Sequence, residues 1–447
     1  MSAELTLELI DQLKEAVETR DKRFIIGALQ NEHAVDIAEI LDNLDTDSCK
    51  YIFTLLPDQL CADVLSQLED DTRRDFLKVF SSKEIAHFMD YTDSDDAADI
   101  LNGQPVKVRE EALALMNHRE KSNQIIDLLH YEDDCAGGLM ATELVKANIN
   151  WSVKQCIEEI RRQAERVEKV LTVYVVDDTE ILLGRVSLKK LILSHDDTLV
   201  KDIYSRKIPT VQTYYEEEQV VEIMQKYDME ALPVVNVQGR LLGRITIDDV
   251  IDVITEQAEL DRQIMSGISE DIEADDSVWM LSRARLPWLI IGMIGGLLGA
   301  RFIGFFEEDL TLVPAMAFFI PLITATGGNV GIQSSTIVVQ ALANSSTMML
   351  STYQRLLKVI LVAVLNGVVI ASLVFCFNLF FANFHLALVV SVALFSVVML
   401  ASLTGTITPI ILDKININPA LASGPFITTT NDLLGLAIYF SVAHLLF

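Results

Sequence analysis

The sequence predicts a multi-domain fold: an all-α, acidic, superhelical N-terminal domain, an α/β domain built from two similar halves, and a five-helix α-helical transmembrane domain. Three observations carry that expectation. Charge is the first. The 447 residues hold 35 Lys and Arg against 64 Asp and Glu, a formal net charge of -29. From Pro287 onward there are four basic residues (Arg301, Arg355, Lys358, Lys414) and five acidic ones (Glu307, Glu308, Asp309, Asp413, Asp432), which leaves 31 basic and 59 acidic residues, a net of -28, in the first 286. Hydropathy is the second: five apolar stretches follow Arg285. The third is an internal repeat at an offset of 59 residues, from 170–192 to 229–251.

Residues 1–134 are expected to be helical. VDIAEILDNLDTDSCKYIFTLLP, LCADVLSQLEDDTRRDFLKVF and ADILNGQPVKVREEALALM place apolar residues three and four apart. Polar turns such as LDTDS, LPDQ and YTDSDD separate them, which reads as a right-angled stack of helical hairpins with one thick acidic face. Such a face is most simply a solvated one. The opening MSAELTLELIDQLKEAVETR is a charged amphipathic helix rather than a secretory signal.

Residues 135–254 contain the repeat, with copies over about 135–193 and 194–254. VLTVYVVDDTEILLGRVSLKKLI aligns without a gap on MEALPVVNVQGRLLGRITIDDVI, so that Leu182-Leu183-Gly184-Arg185 falls on Leu241-Leu242-Gly243-Arg244 and Ser187 on Thr246. Each copy reads as strand, turn, strand, helix, preceded by an amphipathic helix (VKQCIEEIRRQAERV; EEQVVEIMQKYDM). Self-similarity of this kind marks a doubled unit, and this one resembles a tandem pair of CBS domains. In that family a Thr-x-x-Asp at the last strand–helix junction holds nucleotide ribose and phosphate. Thr246 and Asp249 match it, whereas the first copy has Ser187 and lacks the acid, so at most one nucleotide site per chain is implied. The same residues equally suit a helix N-cap.

A connecting helix is expected over 255–284, running from ITIDDVIDVI through TEQAELDRQIMSGI to SRARLPWL, and the transmembrane domain over 285–447. The apolar stretches, roughly 287–306, 312–342, 356–382, 386–411 and 420–447, each supply the ~20 residues a spanning helix needs. Arg283 and Arg285 precede the first span. Arg355 and Lys358 lie between the second and third, and Lys414 between the fourth and fifth. The other two connections hold no Lys or Arg after the first span's EED and in FANFHLA. The basic ends fall on one side, which puts the N-terminal half in the cytoplasm and the C-terminus outside.

Two spans are expected to be interrupted, the second at ITATGGNVGIQSST (323–336) and the fifth at Asn418-Pro419 and Gly424-Pro425. Freed backbone carbonyls at membrane depth must face protein or a water-filled cavity. Asn329, Gln333, Thr428, Thr430, Asn431 and Asp432 would line such a cavity. A carboxylate at the bilayer centre costs roughly 2.5–3.5 kcal/mol even on lenient scales, so Asp432 needs a partner. No basic residue accompanies it, which favours a cation. Mg²⁺ fits: it is hard, prefers oxygen, retains its water and is usually held by one or two carboxylates. A dimer with its two-fold axis along the pore would bring two Asp432 side chains together. A proton relay is the rival role, with only His385 and His444 as further titratable groups near span ends.

These pieces, in this order and over the full length, resemble the MgtE magnesium transporters. The specific matches are CAGGLMATELV (135–145), TGGNVGIQSSTIVVQAL and NPALASGPFITTTNDLLGLAIYFSVAHLLF. The resemblance implies a homodimeric Mg²⁺ channel of the inner cell membrane. In it Asp432 holds a hydrated ion, while Asn329, Gly328, Thr428 and Gly435 narrow or line the site. It implies a cytoplasmic gate in which Mg²⁺ bridges acids: Asp95, Asp96 and Asp99 of the helical domain, Glu216, Glu218, Asp228, Asp249 and Asp252 of the second CBS unit, and Glu256, Glu259 and Asp261 of the connecting helix. ATP on the CBS pair is implied as a modulator. Departures from the family pattern are Ile332 in GGNxGNQ, Asn418 where Asp is frequent, and Gln257 and Leu260 where acids are frequent.

Other functions are weighed against this. The acidic surface repels nucleic acid and concentrates cations. Five scattered cysteines (Cys49, Cys61, Cys135, Cys156, Cys376) show no metal-ligand spacing and fit a reducing compartment. No nucleophile–base pair or P-loop suggests an enzyme. A carrier of Co²⁺ or Mn²⁺ remains an alternative, since oxygen ligands around a hydrated ion discriminate such metals weakly. So does a membrane-anchored nucleotide or cation receptor without transport.

Overall fold

The computed structural model describes residues 3–164, 170, 172–270, 272, 276–343, 352–381 and 383–446. It divides into two compact units, Met1–Val253 and Ile254–Phe447.

The first unit begins with ten helices: α1 (Ala3–Glu18), α2 (Lys22–Leu29), α3 (Ala34–Leu41), α4 (Thr46–Phe53), α5 (Asp58–Gln67), α6 (Asp70–Leu77), α7 (Ser82–Met89), α8 (Ser94–Asn102), α9 (Val106–Leu115) and α10 (Arg119–Leu128). From α3 to α9 the helices start at 34, 46, 58, 70, 82, 94 and 106, a period of 12 residues that no repeated residue identity signals. Odd helices pack on odd (α3, α5, α7, α9) and even on even (α4, α6, α8, α10). The same slot is buried in every turn of the stack: Ile40, Ile52, Val64, Phe76, Phe88, Ile100 and Ala112, with Leu41, Phe53, Leu65, Leu77, Met89, Leu101 and Leu113 beside them. Each hairpin cannot bury its apolar edge alone and uses its neighbours to do so. Cys49 and Cys61 occupy a third such slot as small hydrophobes, and burial pushes both thiols up to about 12.

The α/β part bears out the repeat. Strands β1 (Val145–Asn148), β2 (Val173–Val176) and β3 (Leu182–Val186) form one sheet, and β4 (Val211–Gln212), β5 (Ala231–Val235) and β6 (Leu241–Thr246) the other. In both, the first strand pairs parallel and the third antiparallel with the middle one, with an irregularity at Val175/Val176 and again at Val234/Val235. The crossover helices are α11 (Val153–Gln163) and α14 (Glu217–Tyr227); α12 (Leu188–Leu193) and α13 (Val200–Ile203) follow the first sheet. The copies meet hairpin to hairpin, Ile181 bridging Arg240, a pair itself 59 residues apart. The repeated glycine has a steric cause. A methyl at Gly243 would stand 2.6 Å from the Ala141 carbonyl, and one at Gly184 would run into that of Ser205. In each copy another segment of chain, joined by a single β-bridge (Ala141 to Arg244, Ser205 to Arg185), crosses directly over the LLGR backbone.

Helix α15 (Ile247–Met265) leads into the second unit. It was expected to continue to the membrane, but it stops at a Schellman cap. Gly267 has φ +81°, its N–H donates to Ile264 O at 3.0 Å and that of Ile268 to Gln263 O at 3.0 Å. Then come α16 (Val278–Gly304), the short α17 (Glu307–Leu312), α18 (Ile320–Ala343), α19 (Thr352–Phe381), α20 (Phe384–Lys414) and α21 (Pro425–Leu446). Five of these helical stretches are long and apolar enough to cross a membrane. α20 lies at the centre, packed by α18, α19 and α21, while α16 packs on α21. Val390, Leu394, Val397, Leu436, Tyr439 and Phe440 form the core, and the Tyr439 hydroxyl donates to Met316 O at 2.9 Å.

One expected break is real and the other is not. Before α21 the chain makes a 3-10 turn (Pro419–Ala422) and a left-handed Gly424, φ +61°. The second span, by contrast, runs unbroken through all three glycines as α18. In lipid an intact ladder is the surest way to satisfy the backbone, and small residues let neighbouring helices approach closely.

Candidate ion pathway and cation-sensing cluster

The pathway residues lie where α18 meets α21. A methyl at Gly328 would stand 3.1 Å from Thr428 Cγ2 and 3.7 Å from Asp432 Oδ1, so the absent side chain lets α21 bring its threonine and its carboxylate against the α18 backbone. Asp432 is half-buried. Gly435 is buried one turn on, but faces Val397 and Ile323. Asn329 and Gln333 are exposed on α18, one turn apart, on a face left open among the described residues. Asn431 was expected to line the cavity and does not. It is 2% exposed, because one residue of helix turns it ~100° from Asp432 and into the bundle.

The loop before α21 is pinned from two directions. The buried Ser335 of α18 donates to Ala422 O at 3.0 Å and lies 3.1 Å from the Ser423 hydroxyl. Asn418 Nδ2 donates to Asp261 Oδ1 at 3.0 Å, and Gln257 Nε2 donates to the same oxygen at 3.4 Å. Asp261 of the expected sensor set therefore accepts hydrogen bonds from two amides, whereas Glu256 and Glu259 are exposed on α15.

In the first unit the acids of α8 come together with those at the end of β6. Burial raises Asp95 well above the usual carboxylate range, and the negative charges of Asp96, Asp249 and Glu143 add to the effect. Burial also raises Asp96, against the opposing Ser66 hydrogen bond and Arg73. Asp99 rises to about 7: its side chain reaches the surface, but the chain packed around its carboxyl desolvates it, with Asp133 and Asp96 pushing the same way and Arg73 opposing. Asp249 rises to about 6 through burial despite hydrogen bonds from Thr246. Asp252 is raised by burial and by Asp248. Glu216, Glu218 and Asp228 are exposed at the two ends of α14 instead.

Sequence reasoning missed Glu143, Asp248 and Asp133, and the cations Arg73 and Lys121. Only the 12-residue period signals Arg73, which occupies the slot of Cys49, Cys61 and Ile85. Glu143 ties the two parts of this unit together: its Oε2 accepts from the Ser94 hydroxyl at 2.7 Å and the Ser94 N–H at 3.3 Å, while Thr142 N–H donates to Ser94 Oγ at 2.9 Å. Lys121 Nζ donates to the carbonyls of Thr92 and Asp90 and is surrounded by Glu143, Asp93, Asp90 and Asp95. Among the described residues no three acidic, His or Cys groups converge as a ready-made metal site. The acids are neighbours that repel, held short of coordination distance.

The residues matched to a nucleotide site are engaged locally. Asp249 Oδ2 accepts from Thr246 Oγ1 at 2.7 Å and Thr246 N–H at 2.9 Å, and Ser187 caps α12 by accepting from Lys190 N–H at 3.3 Å.

Comparison with known proteins agrees with this layout. The profile of a divalent cation transporter family, MgtE, matches residues 320–442, that of the MgtE intracellular N domain 32–134, and that of the CBS domain 200–256. The magnesium transporter MgtE of Bacillus subtilis is 31% identical over 445 residues, covering 98% of this chain and 97% of the relative. That of Thermus thermophilus is 32% identical over 446 residues, covering 98% of each. Among solved structures, the soluble part of a magnesium transporter matches with TM-score 0.51 at 29% identity, covering 57% of this chain and 99% of that one. The cytosolic domain of the Mg²⁺ channel MgtE in complex with ATP matches with TM-score 0.52 at 32% identity, covering 55% and 99%. From this near-complete coverage, with helical domain, CBS pair and membrane helices in the same order, the chain belongs to the MgtE family of transporters.

Proposed function

We propose that this chain is one subunit of a homodimeric Mg²⁺ channel of the inner cell membrane, with its N-terminal domains in the cytoplasm and its C-terminus outside. The observation that carries the reading is Asp432, set against Gly328 and Thr428 in an apolar stretch that holds no Lys or Arg. A bare carboxylate at that depth is costly unless it meets a cation. Two such carboxylates across a two-fold axis would hold a hydrated divalent ion, and the same axis would cover the exposed Asn329 and Gln333. Gly435 would add clearance one turn beyond.

Cytoplasmic Mg²⁺ closes the channel by binding between acids that otherwise repel. Asp95, Asp96, Asp99, Asp249 and Asp252 form the main cluster, and Glu216, Glu218, Asp228, Glu256, Glu259 and Asp261 add further acidic positions. A switch requires an ion with different affinities for the two states, and crowded carboxylates that repel one another provide that difference. ATP modulates the gate through Thr246, Asp249 and Ser187. Asp249 belongs to both sets, so nucleotide and cation would act on the same carboxylate.

The test is ion flux through the purified protein in liposomes. Asp432→Asn should abolish Mg²⁺ flux while the protein still reconstitutes, and raising Mg²⁺ on the cytoplasmic face should close the wild type. Unchanged flux in Asp432→Asn would remove the pore assignment. Wild-type flux of Co²⁺ or Mn²⁺ in preference to Mg²⁺ would make this a carrier of another divalent ion. No flux at all, with nucleotide or cation still bound, would make it a receptor.

A further inference from the structure

We infer that Asn431 positions the pore carboxylate and thereby sets the ion selectivity; the inference rests on the reading of Asp432 given above. Asn431 sits where three helices meet. Its Oδ1 accepts from the Thr404 hydroxyl of α20 at 2.8 Å. Its amide nitrogen reaches bottom on Gly331 of α18, where even a methyl group would collide with it. Gly405 of α20 in turn lies against the Gly331 carbonyl, so a methyl there would collide as well.

Packing alone does not account for an asparagine here. The side chain is 2% exposed, and among the described residues its buried Nδ2 has no hydrogen-bond partner. A leucine of similar volume would avoid that penalty. What the amide supplies is a directional tie from α21 to α20, made at the level where α21 meshes with α18.

The two helices mesh in two adjacent rows. In the inner row Gly331 faces Ile427 and Asn431, and in the outer row Gly328 faces Thr428 and Asp432. Because Asn431 and Asp432 are consecutive on one rigid helix, any slide that relaxes the inner row displaces the carboxylate in the outer one. Discrimination between Mg²⁺ and a larger cation such as Ca²⁺ depends on cavity size and on the rigidity of the oxygen ligands. The hydrogen bond from Thr404 to Asn431, which touches no ion, is therefore what holds that geometry, while the apolar Ile427 beside it only fills space.

The experiment measures Mg²⁺ and Ca²⁺ flux, per amount of full-length protein in liposomes, for Asn431→Leu, Thr404→Val and their double variant. Ile427→Val, an apolar change in the same notch, and Asp432→Asn are measured in parallel. Each single variant should lower the Mg²⁺ to Ca²⁺ flux ratio by roughly threefold, the typical size of one hydrogen bond between membrane helices. The double variant should fall no further than the worse single one, because both remove the same bond. Ile427→Val should leave the ratio unchanged. Should Asp432→Asn abolish flux while Asn431→Leu and Thr404→Val keep the wild-type ratio, or should Ile427→Val shift it equally, the positioning role is overturned. If Asn431→Leu does not fold, Thr404→Val decides alone. Normal flux in Asp432→Asn would instead remove the pore reading on which the inference stands.

Discussion

Two glycines of α18, Gly328 and Gly331, have distinct neighbours, and substitution separates them. At Gly328 a methyl would make a tight contact, 3.1 Å, with the movable Cγ2 of Thr428. At Gly331 it would meet a buried amide that has nowhere to go. Gly328→Ala should therefore fold and carry less Mg²⁺, whereas Gly331→Ala should lower the melting temperature of the purified protein, overpacking in a tight core costing about 1–3 kcal/mol. Equal thermal stability of the two would contradict this packing. At Asp432 the residue scale was legible without a structure, since a carboxylate in an apolar stretch demands an explanation from its cost alone. Asn431 was not, because one letter of sequence separates a pore-facing position from a core one and only the helix phase tells them apart.

At the scale of elements, the helical stack shows why a period can hide in plain sequence. Its slots accept Ile, Val, Phe, Cys and Ala alike, so the 12-residue repeat lies in burial and not in residue identity. Removing Ile52, wholly buried in such a slot, should destabilise the protein by about 2–5 kcal/mol as Ile52→Ala. A urea unfolding midpoint unchanged from wild type would refute the repeat as the core. The CBS pair was legible because its repeated LLGR is fixed by backbone crossing, which tolerates few residues. The stop of α15 was also present in the sequence as Ser266-Gly267, the glycine signal of a helix C-terminus.

For the whole molecule the net charge of -29 decides how stability responds to its solution. Asp99 and Asp249 titrate at about 7 and about 6 in the folded protein, above the ordinary 3.8. Between those values the folded form holds protons that the unfolded chain has already released. These groups therefore contribute most at low pH, and their contribution is lost as pH rises through 6 to 7. Metal-free protein should melt at a higher temperature at pH 5.5 than at pH 7.5. Mg²⁺ should restore stability at the higher pH, by about 2.7 kcal/mol at a hundred times its dissociation constant. Asp99→Asn with Asp249→Asn should flatten both responses, as followed by scanning calorimetry. A pH response left intact in that double variant would place the titrating groups elsewhere.

By itself the sequence determined the order of the domains, the doubled α/β unit, the five apolar helices and the lone carboxylate among them. Each of these follows from composition, period or solvation cost, which are local or additive along the chain. Only the tertiary structure decided that α18 continues through its glycines, that Asn431 turns inward, that Asp261 is held by Asn418, and that Glu143 and Lys121 join the acids of α8. Those outcomes depend on which distant backbone fills the space beside a residue, and no spacing along one chain encodes that contact directly.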